Sequence, residues 1–288
     1  MTNTESTTST SESNSVRPYR LPTVLSIAGS DSSGGAGIQA DLKTLMACGV
    51  YGMSAVTSLT AQNTTGVRAT ATTSPDMLAA QIDAVFEDIR PDAIKIGMVP
   101  NAKLIEVIAN RLEHFQATNI VVDSVMIASS GDRLSSKNSV DVLCTKLLPL
   151  VTLVTPNIPE AETLSETDSG TICDEASTVE AARRIAKRCG GCAVLIKGGH
   201  GQNGANDLLL DNGQIAWFRH ERIANPNTHG TGCTLSSAIA AGLAKGQPLA
   251  QAVQNGKDYL TGCIAAGLDL GAGSGPMDHA WQWRNREN

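Results

Sequence analysis

The chain has 288 residues, of which 41% are hydrophobic and 17% are charged, and its formal net charge at pH 7 is −6. This composition excludes collagen-like, fibrous and wholly disordered proteins, and the length allows one large domain or two small ones. The acidic balance gives no reason to expect nucleic acid or a membrane surface as a partner, and no run of about 18 apolar residues predicts a membrane span.

The first residues, from Met1 to Val16, are almost all Ser, Thr, Asn and Glu. Such a segment cannot bury enough apolar surface to offset the entropy of ordering, so residues 1–20 are predicted to form a disordered tail. The tail has neither the apolar stretch of a secretory signal nor the scattered arginines of a transit peptide. The 7 cysteines, an odd number, are typical of reduced thiols. Together these features predict a cytoplasmic protein.

Short apolar runs rich in β-branched residues alternate with helical patterns along the rest of the chain. Continuous apolar runs are typical of a sheet that is buried on both faces. Six of them predict strands: Thr23–Ile27, Met53–Leu59, Ala93–Ile96, Asn119–Val122, Leu150–Val154 and Ala193–Ile196. An Asp-Asn-Gly turn signal between Asp207 and Phe218 predicts a hairpin.

Helices are predicted between these strands. Ser74 is followed by Pro75 and a stripe of apolar residues, and Asn101 precedes a similar stripe. Two alanine-rich helices are predicted later in the chain, near Thr234–Lys245 and Pro248–Leu268. This alternation predicts one α/β domain over residues 21–288, with a mainly parallel central sheet and helices on both faces. In such a sheet, ligands bind beyond the carboxyl ends of the strands.

Cys189 and Cys192 form a CGGC motif that has two interpretations. A redox-active pair needs its first thiol at the start of a helix, where the helix dipole lowers the thiol pKa. Here the pair follows a helical run, Val179 to Arg188, and precedes a strand. Packing is therefore favoured over redox chemistry, and no second cysteine pair offers zinc spacing.

A glycine-rich segment follows the first strand and leads directly into a helix. Gly35, Gly37 and Ala40 match the G-x-G-x-x-A pattern of dinucleotide-binding folds. That fold needs an acidic residue about twenty positions further on, and none stands at that distance, which disfavours it. A loop that contains Gly29 and Gly35 still lets a small ligand approach the backbone closely. Asp41, on the following helix, is interpreted either as a solvated residue or as a site residue.

The strongest chemical signal is the segment from Asn227 to Cys233, NTHGTGC, which stands immediately before an alanine-rich helix. Glycines and threonines at a helix N-terminus present amide hydrogens at the positive end of the helix dipole, which predicts an anion site. Such a site can stabilise the charge on a transferring phosphoryl group. Cys233 lies in the same field, which is expected to lower its thiol pKa and make it a proton acceptor. The alternative is a capped, buried helix start with a packed cysteine.

Polar residues follow three other predicted strands. Asp123 can help to hold a hydrated Mg²⁺, Asn157 and Glu160 supply an amide and a carboxylate, and Lys197 offers an ammonium group. Acids, a cation and an anion site at one sheet edge are the groups that phosphoryl transfer needs. The chain has no G-x-x-x-x-G-K-[ST] motif and no protein-kinase signature, so its phosphate site must be built differently.

Seven segments carry a family resemblance: AGSDSSGGAGIQADLKT (28–44), TAQNTTGV (60–67), KIGM (95–98), VDSVM (122–126), TPNIPEA (155–161), KGGH (197–200) and NTHGTGCTLS (227–236). They closely resemble the hydroxymethylpyrimidine/phosphomethylpyrimidine kinases of thiamine biosynthesis, in the ribokinase superfamily. The match is colinear from about residue 22 to about residue 270.

This resemblance implies a ribokinase-like three-layer α/β/α sandwich that uses ATP and Mg²⁺. The enzyme would phosphorylate 4-amino-5-hydroxymethyl-2-methylpyrimidine and then its monophosphate. Its partners would be small molecules, and the family suggests a homodimer. The residues that would line the pyrimidine pocket are Gly29, Asp41, Gln62, Met98 and Val125. A carboxamide such as that of Gln62 can donate to a ring nitrogen and accept from the neighbouring amino group.

The resemblance also assigns the transfer site. Asp123 and Glu160 would organise Mg²⁺, and Lys197 and Asn157 would bind the nucleotide. The anion site would consist of Gly230, Thr231 and Gly232. Cys233 stands where many superfamily members have an Asp base, which leaves a thiolate base and electrostatic activation as alternatives. Two other functions stay open at this stage: a pyridoxal or pyridoxine kinase of the same fold, and a non-catalytic module that binds thiamine precursors.

Overall fold

The central sheet is built from the apolar runs, because β-branched and other apolar side chains pack well on both faces of a pleated sheet. The computed structural model describes residues 19–125, 137–198 and 206–284. Its strands, in chain order, are β1 (Thr23–Ala28), β2 (Tyr51–Val56), β3 (Ser58–Asn63), β4 (Gly66–Thr72), β5 (Ala93–Ile96), β6 (Ile120–Val122), β7 (Leu153–Val154), β8 (Ala193–Ile196), β9 (Asp207–Asp211) and β10 (Gln214–Phe218).

Eight of these strands form one sheet in the order β10-β9-β8-β7-β6-β5-β1-β2, and β3 and β4 form a separate antiparallel pair. The six strands from β8 to β2 run parallel, whereas β9 is antiparallel to β8 and β10 is antiparallel to β9. The segments that follow the parallel strands therefore lie along one edge of the sheet, where open α/β sheets bind their ligands.

Helices cover both faces of the sheet. In chain order, those within the described residues are α1 (Gly37–Ala47), α2 (Pro75–Asp88), α3 (Ala102–His114), α4 (Lys137–Val142), α5 (Ile158–Ser165), α6 (Glu175–Arg188), α7 (Thr231–Ala244), α8 (Leu249–Ala265) and α9 (Trp281–Arg284). One apolar core, with Ile82, Ile108 and Ile185, packs α2, α3 and α6 against one face. A second core, with Leu45 and Ile239, packs α1, α7 and α8 against the other face. These three layers confirm the predicted α/β/α architecture.

Local sequence signals place the starts of several elements as predicted. Ser74 caps α2, with Pro75 at the first helical position, and Asn101 caps α3. Each capping side chain accepts a hydrogen bond from a first-turn amide, at 3.2 Å and 3.0 Å. The predicted hairpin is β9–β10, and its turn residues Asn212 and Gly213 both have positive φ.

Two predicted strands differ from the observed ones. The run Met53–Leu59 is not one strand, because the chain leaves the main sheet at Thr57, so that β2 and β3 are separate. The β4 strand was not predicted, because its residues are small or polar and nearly all exposed. The predicted strand Leu150–Val154 is shortened to β7, because Pro149 lies in a short 3₁₀ turn over 148–150.

The thiols behave as predicted. All seven cysteines are free. Cys189 and Cys192 are buried in the first apolar core behind the C-terminus of α6. The neighbouring Cys144 and burial raise the pKa of the Cys189 thiol, although Arg188 acts to lower it, and burial raises the pKa of Cys192 to about 12. Neither thiol is a ready thiolate, which supports packing over redox chemistry.

The chain ends are only partly described. Residues 1–18 and 285–288 lie outside the described residues, so the disordered tail and the domain limits 1–20 and 21–288 stay predictions. Arg20, at the end of the predicted tail, pairs with Asp92 at 2.9 Å. Within the described ranges, no helix combines the length and the apolar character that crossing a bilayer requires.

Candidate active site

Polar side chains gather where three neighbouring parallel strands end. Asp123 follows β6, Asn157 comes after β7 and Lys197 follows β8. The Lys197 ammonium donates to Asp123 Oδ1 at 2.8 Å, and Asn157 is joined to Lys197 by a parallel backbone bridge. Burial alone would lower the pKa of Lys197, but the carboxylates of Asp123 and Glu160 raise it above its ordinary value. The structure therefore brings these strand ends together around a charged ammonium.

The first turn of α7 closes this edge of the sheet. Gly230, just before α7, has a φ of 85°, and a Cβ there would overlap the carbonyl oxygen of Gly35. A Cβ on Gly232 would lie 2.9 Å from Asp123 Oδ2 and 3.3 Å from the Lys197 ammonium nitrogen. Only glycine permits such approaches of the backbone. The start of α7 therefore stands directly beside the Asp123–Lys197 pair.

The amides at the start of α7 have different partners. The Thr231 N–H donates to the Thr228 carbonyl at 3.3 Å, which closes a turn before the helix. The N–H groups of Gly232 and Cys233 belong to the first helical turn, whose amides have no acceptor within the helix. These two amides are therefore the best placed to bind an anion, and Gly230 supplies the tight turn that orients them.

Glu160 lies behind the Asp123–Lys197 pair, in the first turn of α5. Its Oε2 accepts hydrogen bonds from the Asn157 N–H at 2.9 Å and from the Ser124 hydroxyl at 3.4 Å. The Asn157 carboxamide oxygen in turn accepts from the Glu160 N–H at 2.9 Å. This reciprocal capping box fixes both side chains at the strand ends.

The carboxylates fit a metal that is shared with a substrate. Among the residues that the structure describes, no cluster of three or more His, Cys, Asp or Glu could hold a metal ion alone. Mg²⁺ is commonly bound by one or two carboxylates, with waters and substrate phosphates completing its octahedron. Asp123, just after β6, and Glu160, in the first turn of α5, provide such a carboxylate set.

Three of the residues predicted to bind the pyrimidine lie around the loop after β1. A Cβ on Gly29 would overlap Met98 Cε, so these two residues are in contact. The Gln62 N–H donates to Ser32 Oγ at 2.8 Å, and the same hydroxyl donates to the Gln62 carbonyl at 2.6 Å. Val125, two residues after Asp123, is partly buried. The structure therefore gathers Gly29, Met98 and Gln62 around one loop.

Sequence reasoning did not single out Asp31 and His229, which join this loop to the start of α7. Asp31 Oδ2 lies 2.9 Å from His229 Nε2 and accepts from the Gly35 and Ala36 amides, while Oδ1 accepts from the amide and hydroxyl of Ser33. Burial raises the pKa of Asp31, but hydrogen bonds from these groups outweigh it and lower the pKa to about 2. Two sequence features could have indicated this pair: an acid in a glycine-rich loop and a histidine just before the predicted anion site.

Asp41 is not solvated, so that interpretation is wrong. The side chain is fully buried on α1, and Lys95 donates to its two oxygens at 2.8 and 2.9 Å. The hydroxyls of Ser26 and Ser237 also donate to it, at 2.6 and 2.8 Å. Burial would lower the pKa of Lys95, but Asp41 raises it, so the ammonium stays charged. The carboxylate is thus fully engaged, and a role for Asp41 at the pyrimidine pocket stays a prediction.

Lys95 was missed because a single lysine in the apolar run AIKI gives no sign of a partner 54 positions away. It is fully buried on β5. Its ammonium nitrogen would lie 2.7 Å from a Cβ on Gly97, which follows β5. The ion pair therefore lies under the carboxyl edge of the sheet, between α1 and α7.

Cys233 lies in the first turn of α7, within electrostatic reach of Lys95. Burial raises the pKa of its thiol to about 11, although the Lys95 ammonium acts to lower it. Asp41 and Asp123 raise the pKa further. The expectation of a lowered pKa is wrong, because desolvation outweighs the Lys95 ammonium. Cys233 is therefore a neutral thiol at pH 7.

Comparisons of the sequence agree with the resemblance of its motifs. A family model described as phosphomethylpyrimidine kinase matches residues 31–278. The hydroxymethylpyrimidine/phosphomethylpyrimidine kinase of Rhizobium meliloti is 50% identical over 263 residues, which cover 90% of this chain and 97% of that protein. The bifunctional thiamine biosynthesis protein ThiED of Geobacter sulfurreducens is 48% identical over 263 residues, which cover 91% of this chain and 53% of that longer protein.

Comparison of the structure gives the same fold. The crystal structure of an ADP complex of Bacillus subtilis pyridoxal kinase superposes with a TM-score of 0.85 at 35% sequence identity. The superposition covers 93% of this chain and 100% of that one. The ribokinase-like architecture is therefore confirmed, with a solved relative that binds an adenine nucleotide.

We predict that Lys95→Met destabilises the protein strongly, because it leaves the Asp41 carboxylate buried without its cation. Removal of one partner of a buried ion pair typically lowers the free energy of unfolding by about 3–5 kcal/mol. Urea unfolding followed by circular dichroism measures this change. The double variant Lys95→Met, Asp41→Asn leaves no uncompensated charge and is expected to lose less. A loss below about 1 kcal/mol in the single variant would show that the pair is not needed.

Proposed function

Because this chain belongs to the phosphomethylpyrimidine kinase family, we propose that it transfers the γ-phosphoryl group of ATP to the hydroxymethyl group of 4-amino-5-hydroxymethyl-2-methylpyrimidine. A second transfer, to the monophosphate, gives the diphosphate used in thiamine biosynthesis. The observation that carries this proposal is the position of Gly232, beside both Asp123 and Lys197. There, helix amides, an ammonium and a carboxylate converge on one spot, as phosphoryl transfer requires.

The transfer step is stabilised by positioned charges. The Gly232 and Cys233 amides bind oxygens of the migrating phosphoryl group and stabilise the charge that develops there in the transition state. The Lys197 ammonium neutralises the phosphates of ATP, and Asp123 holds it in place at 2.8 Å. Asn157, bridged to Lys197, lies at the same strand ends and completes the nucleotide site.

Mg²⁺ is the metal that we propose for this site, held by Asp123 and Glu160. When bound, the ion would neutralise charge on the ATP phosphates. The other residues of the chain orient the two carboxylates. The capping box fixes the Glu160 carboxylate, and the Lys197 ammonium fixes the Asp123 carboxylate.

The pyrimidine is bound between the loop after β1 and the β3 strand. The Gln62 carboxamide pairs with a ring nitrogen and the adjacent amino group, and Gly29, Met98 and Val125 surround the ring. One observation supports this placement: the end of the Gln62 side chain lies 3.3 Å from His229, which immediately precedes Gly230. A ring held by Gln62 therefore lies next to the amides of α7.

The substrate alcohol is activated mainly by electrostatics. A thiol with a pKa of about 11 is not a ready base at neutral pH. Phosphoryl transfer passes through a loose transition state in which the alcohol forms little bond, so it needs positioning more than early deprotonation. Cys233 then orients the alcohol beside the migrating group. As the new O–P bond forms and the bond to ADP breaks, the alcohol proton passes to an oxygen of the transferred phosphoryl group.

Pyridoxal kinase activity is the second candidate, because the pyridoxal kinase of Bacillus subtilis has the same fold with a TM-score of 0.85. Its substrate also carries a hydroxymethyl group on a flat nitrogen heterocycle. Sequence identity favours the pyrimidine, since it is 50% to the Rhizobium pyrimidine kinase and 35% to the Bacillus pyridoxal kinase.

Incubation of the full chain with Mg·ATP and the hydroxymethylpyrimidine is predicted to yield first the monophosphate and then the diphosphate, which liquid chromatography with mass spectrometry resolves. A parallel assay with pyridoxal is expected to give a lower kcat/KM. A preference for pyridoxal would replace the proposed substrate. Binding of the pyrimidine without any phosphorylated product would identify a non-catalytic binding module.

For Cys233→Ala we predict a turnover about 10- to 100-fold lower, with a smaller change in the Kd of the pyrimidine, because the role of Cys233 belongs to the transition state. Steady-state kinetics and calorimetric binding separate the two effects. Cys233→Ser keeps a hydroxyl that can orient the alcohol, so it is expected to retain more activity than Cys233→Ala. Equal losses in the two variants would favour a thiolate base.

We also propose that the protein is a cytoplasmic homodimer. The free state of all seven cysteines fits a reducing compartment. The β3–β4 pair stands outside the main sheet and leaves Leu59 58% exposed. An exposed strand pair with apolar side chains is a surface that a second copy of the chain can cover.

Light scattering during size-exclusion chromatography is predicted to give the mass of a dimer for the wild type. Leu59→Glu places a charge in the proposed contact and is expected to give a monomer that keeps its folded circular dichroism spectrum. Ile215→Glu is the matched control, because Ile215 is also exposed but lies on β10, at the far edge of the sheet. A monomeric wild type would contradict the proposal.

A further inference from the structure

Side chains and backbone groups form one hydrogen-bonded chain from the glycine-rich loop to the start of α7. Asp31 Oδ2 lies 2.9 Å from His229 Nε2. One end of the Gln62 carboxamide, assigned as nitrogen, lies 3.3 Å from the same ring nitrogen. The other end lies 3.4 Å from Thr60 Oγ1, which donates to the Ser30 carbonyl at 2.8 Å. Asp31 and His229 are only 1% and 7% exposed, so water does not compete for their contact.

The hydrogen on His229 Nε2 follows from its neighbour. Asp31 is ionised at neutral pH and accepts four further hydrogen bonds, two of them from Ser33 and one each from Gly35 and Ala36. An ionised carboxylate has no hydrogen to donate, so the ring nitrogen at 2.9 Å must carry the hydrogen of this bond. A protonated Nε2 cannot accept from the NH₂ group of Gln62. Its one hydrogen is donated mainly to Asp31, at 2.9 Å, and can be shared with an oxygen at the Gln62 position, at 3.3 Å, in a three-centre bond.

Thr60 leads to the same conclusion from the other end of the carboxamide. Its single hydroxyl hydrogen is donated to the Ser30 carbonyl, so only lone pairs face Gln62. A carboxamide oxygen at that place would face the lone pairs of Thr60 Oγ1, so two acceptors would meet without a hydrogen between them. The oxygen and nitrogen of a carboxamide are assigned from their hydrogen-bond network, and both neighbours of Gln62 require the same assignment.

We propose that Asp31, His229 and Thr60 are positioning residues that fix the Gln62 carboxamide, with Oε1 toward His229 and Nε2 toward Thr60. The inference rests on the proposed function, in which Gln62 binds the pyrimidine. The carboxamide then offers one free N–H and one free lone pair in a fixed order. That order matches a ring nitrogen acceptor beside an exocyclic amino group.

The same orientation also agrees with the direction of transfer. In the substrate, the amino group and the hydroxymethyl group are on adjacent ring carbons. The amino group pairs with Oε1, on the side of His229, so the hydroxymethyl group lies on the side of α7. A 4-oxo pyrimidine presents the reverse pattern, an N–H beside a carbonyl, and could pair only after the carboxamide turned over. The network therefore makes the site specific for 4-amino over 4-oxo pyrimidines.

The experiment compares kcat/KM for the 4-amino and 4-oxo forms of 5-hydroxymethyl-2-methylpyrimidine. His229→Leu removes the donor and frees the carboxamide to turn, so the preference for the amino form is expected to fall about tenfold, through KM more than kcat. Thr60→Val, which keeps the shape of the side chain, is expected to act in the same direction. His229→Gln is expected to restore the preference, because its amide nitrogen can donate to both Asp31 and Gln62.

Equal losses on both substrates in His229→Leu and Thr60→Val would overturn the inference and leave these residues a purely structural role. If thermal unfolding shows that His229→Leu does not fold, Thr60→Val decides alone, and an unchanged preference in it overturns the inference. A wild type inactive on both substrates would contradict the proposed function itself. That result is distinct from an active enzyme whose variants keep their preference.

Discussion

The contact between Gly230 and Gly35 is the constraint on which the rest of the site depends. Neither residue has room for a side chain, since a Cβ on Gly230 would overlap the Gly35 carbonyl and a Cβ on Gly35 would lie 2.6 Å from the His229 ring. The contact joins the loop after β1 to the start of α7, across a sequence separation of almost two hundred residues. In the proposed mechanism, this contact sets the distance between the substrate alcohol and the amides that stabilise the migrating phosphoryl group. Because the reaction relies on positioning, a shift of an ångström here would be felt in the chemistry.

Buried charges hold the elements around that contact in register. Asp41 on α1 is bound by Lys95 from β5, Ser26 from β1 and Ser237 from α7, so one carboxylate ties two helices to the sheet. Asp123 and Lys197 tie β6 to β8 in the same way. Burying such pairs costs desolvation energy. Their main effect is therefore to hold the elements in one arrangement, and they add little stability. Desolvation also keeps the Cys233 thiol neutral, which is the basis of the proposed electrostatic activation of the alcohol.

Features that depend on residues close together in the sequence could be predicted, whereas features that depend on distant residues could not. Strand ends and helix caps depend on neighbouring residues. The positions of Asp123, Asn157 and Lys197 after their strands, and the caps Ser74 and Asn101, were therefore predicted correctly. The partners of buried polar residues depend on long-range contacts, so Lys95 and the Asp31–His229 pair were missed although both lie in quoted motifs. The sign of the Cys233 pKa shift was wrong, because a helix start can be recognised from sequence whereas the degree of desolvation cannot. The β4 strand was missed because an exposed strand has no apolar alternation.

The proposed site divides into two halves that come from different parts of the fold. The phosphate half is built on β6, β7, β8 and α7, inside the main sheet and its helices. The ring-binding half is built on the loop after β1 and on β3, which belongs to a separate strand pair. Substitutions in β3 can therefore change which heterocycle is bound without disturbing the sheet that positions the phosphates. This division explains how a pyridoxal kinase can share the fold at a TM-score of 0.85. In the proposed site, substrate choice depends on the hydrogen-bonding pattern offered by Gln62 and its neighbours, and the overall shape of the fold does not decide it.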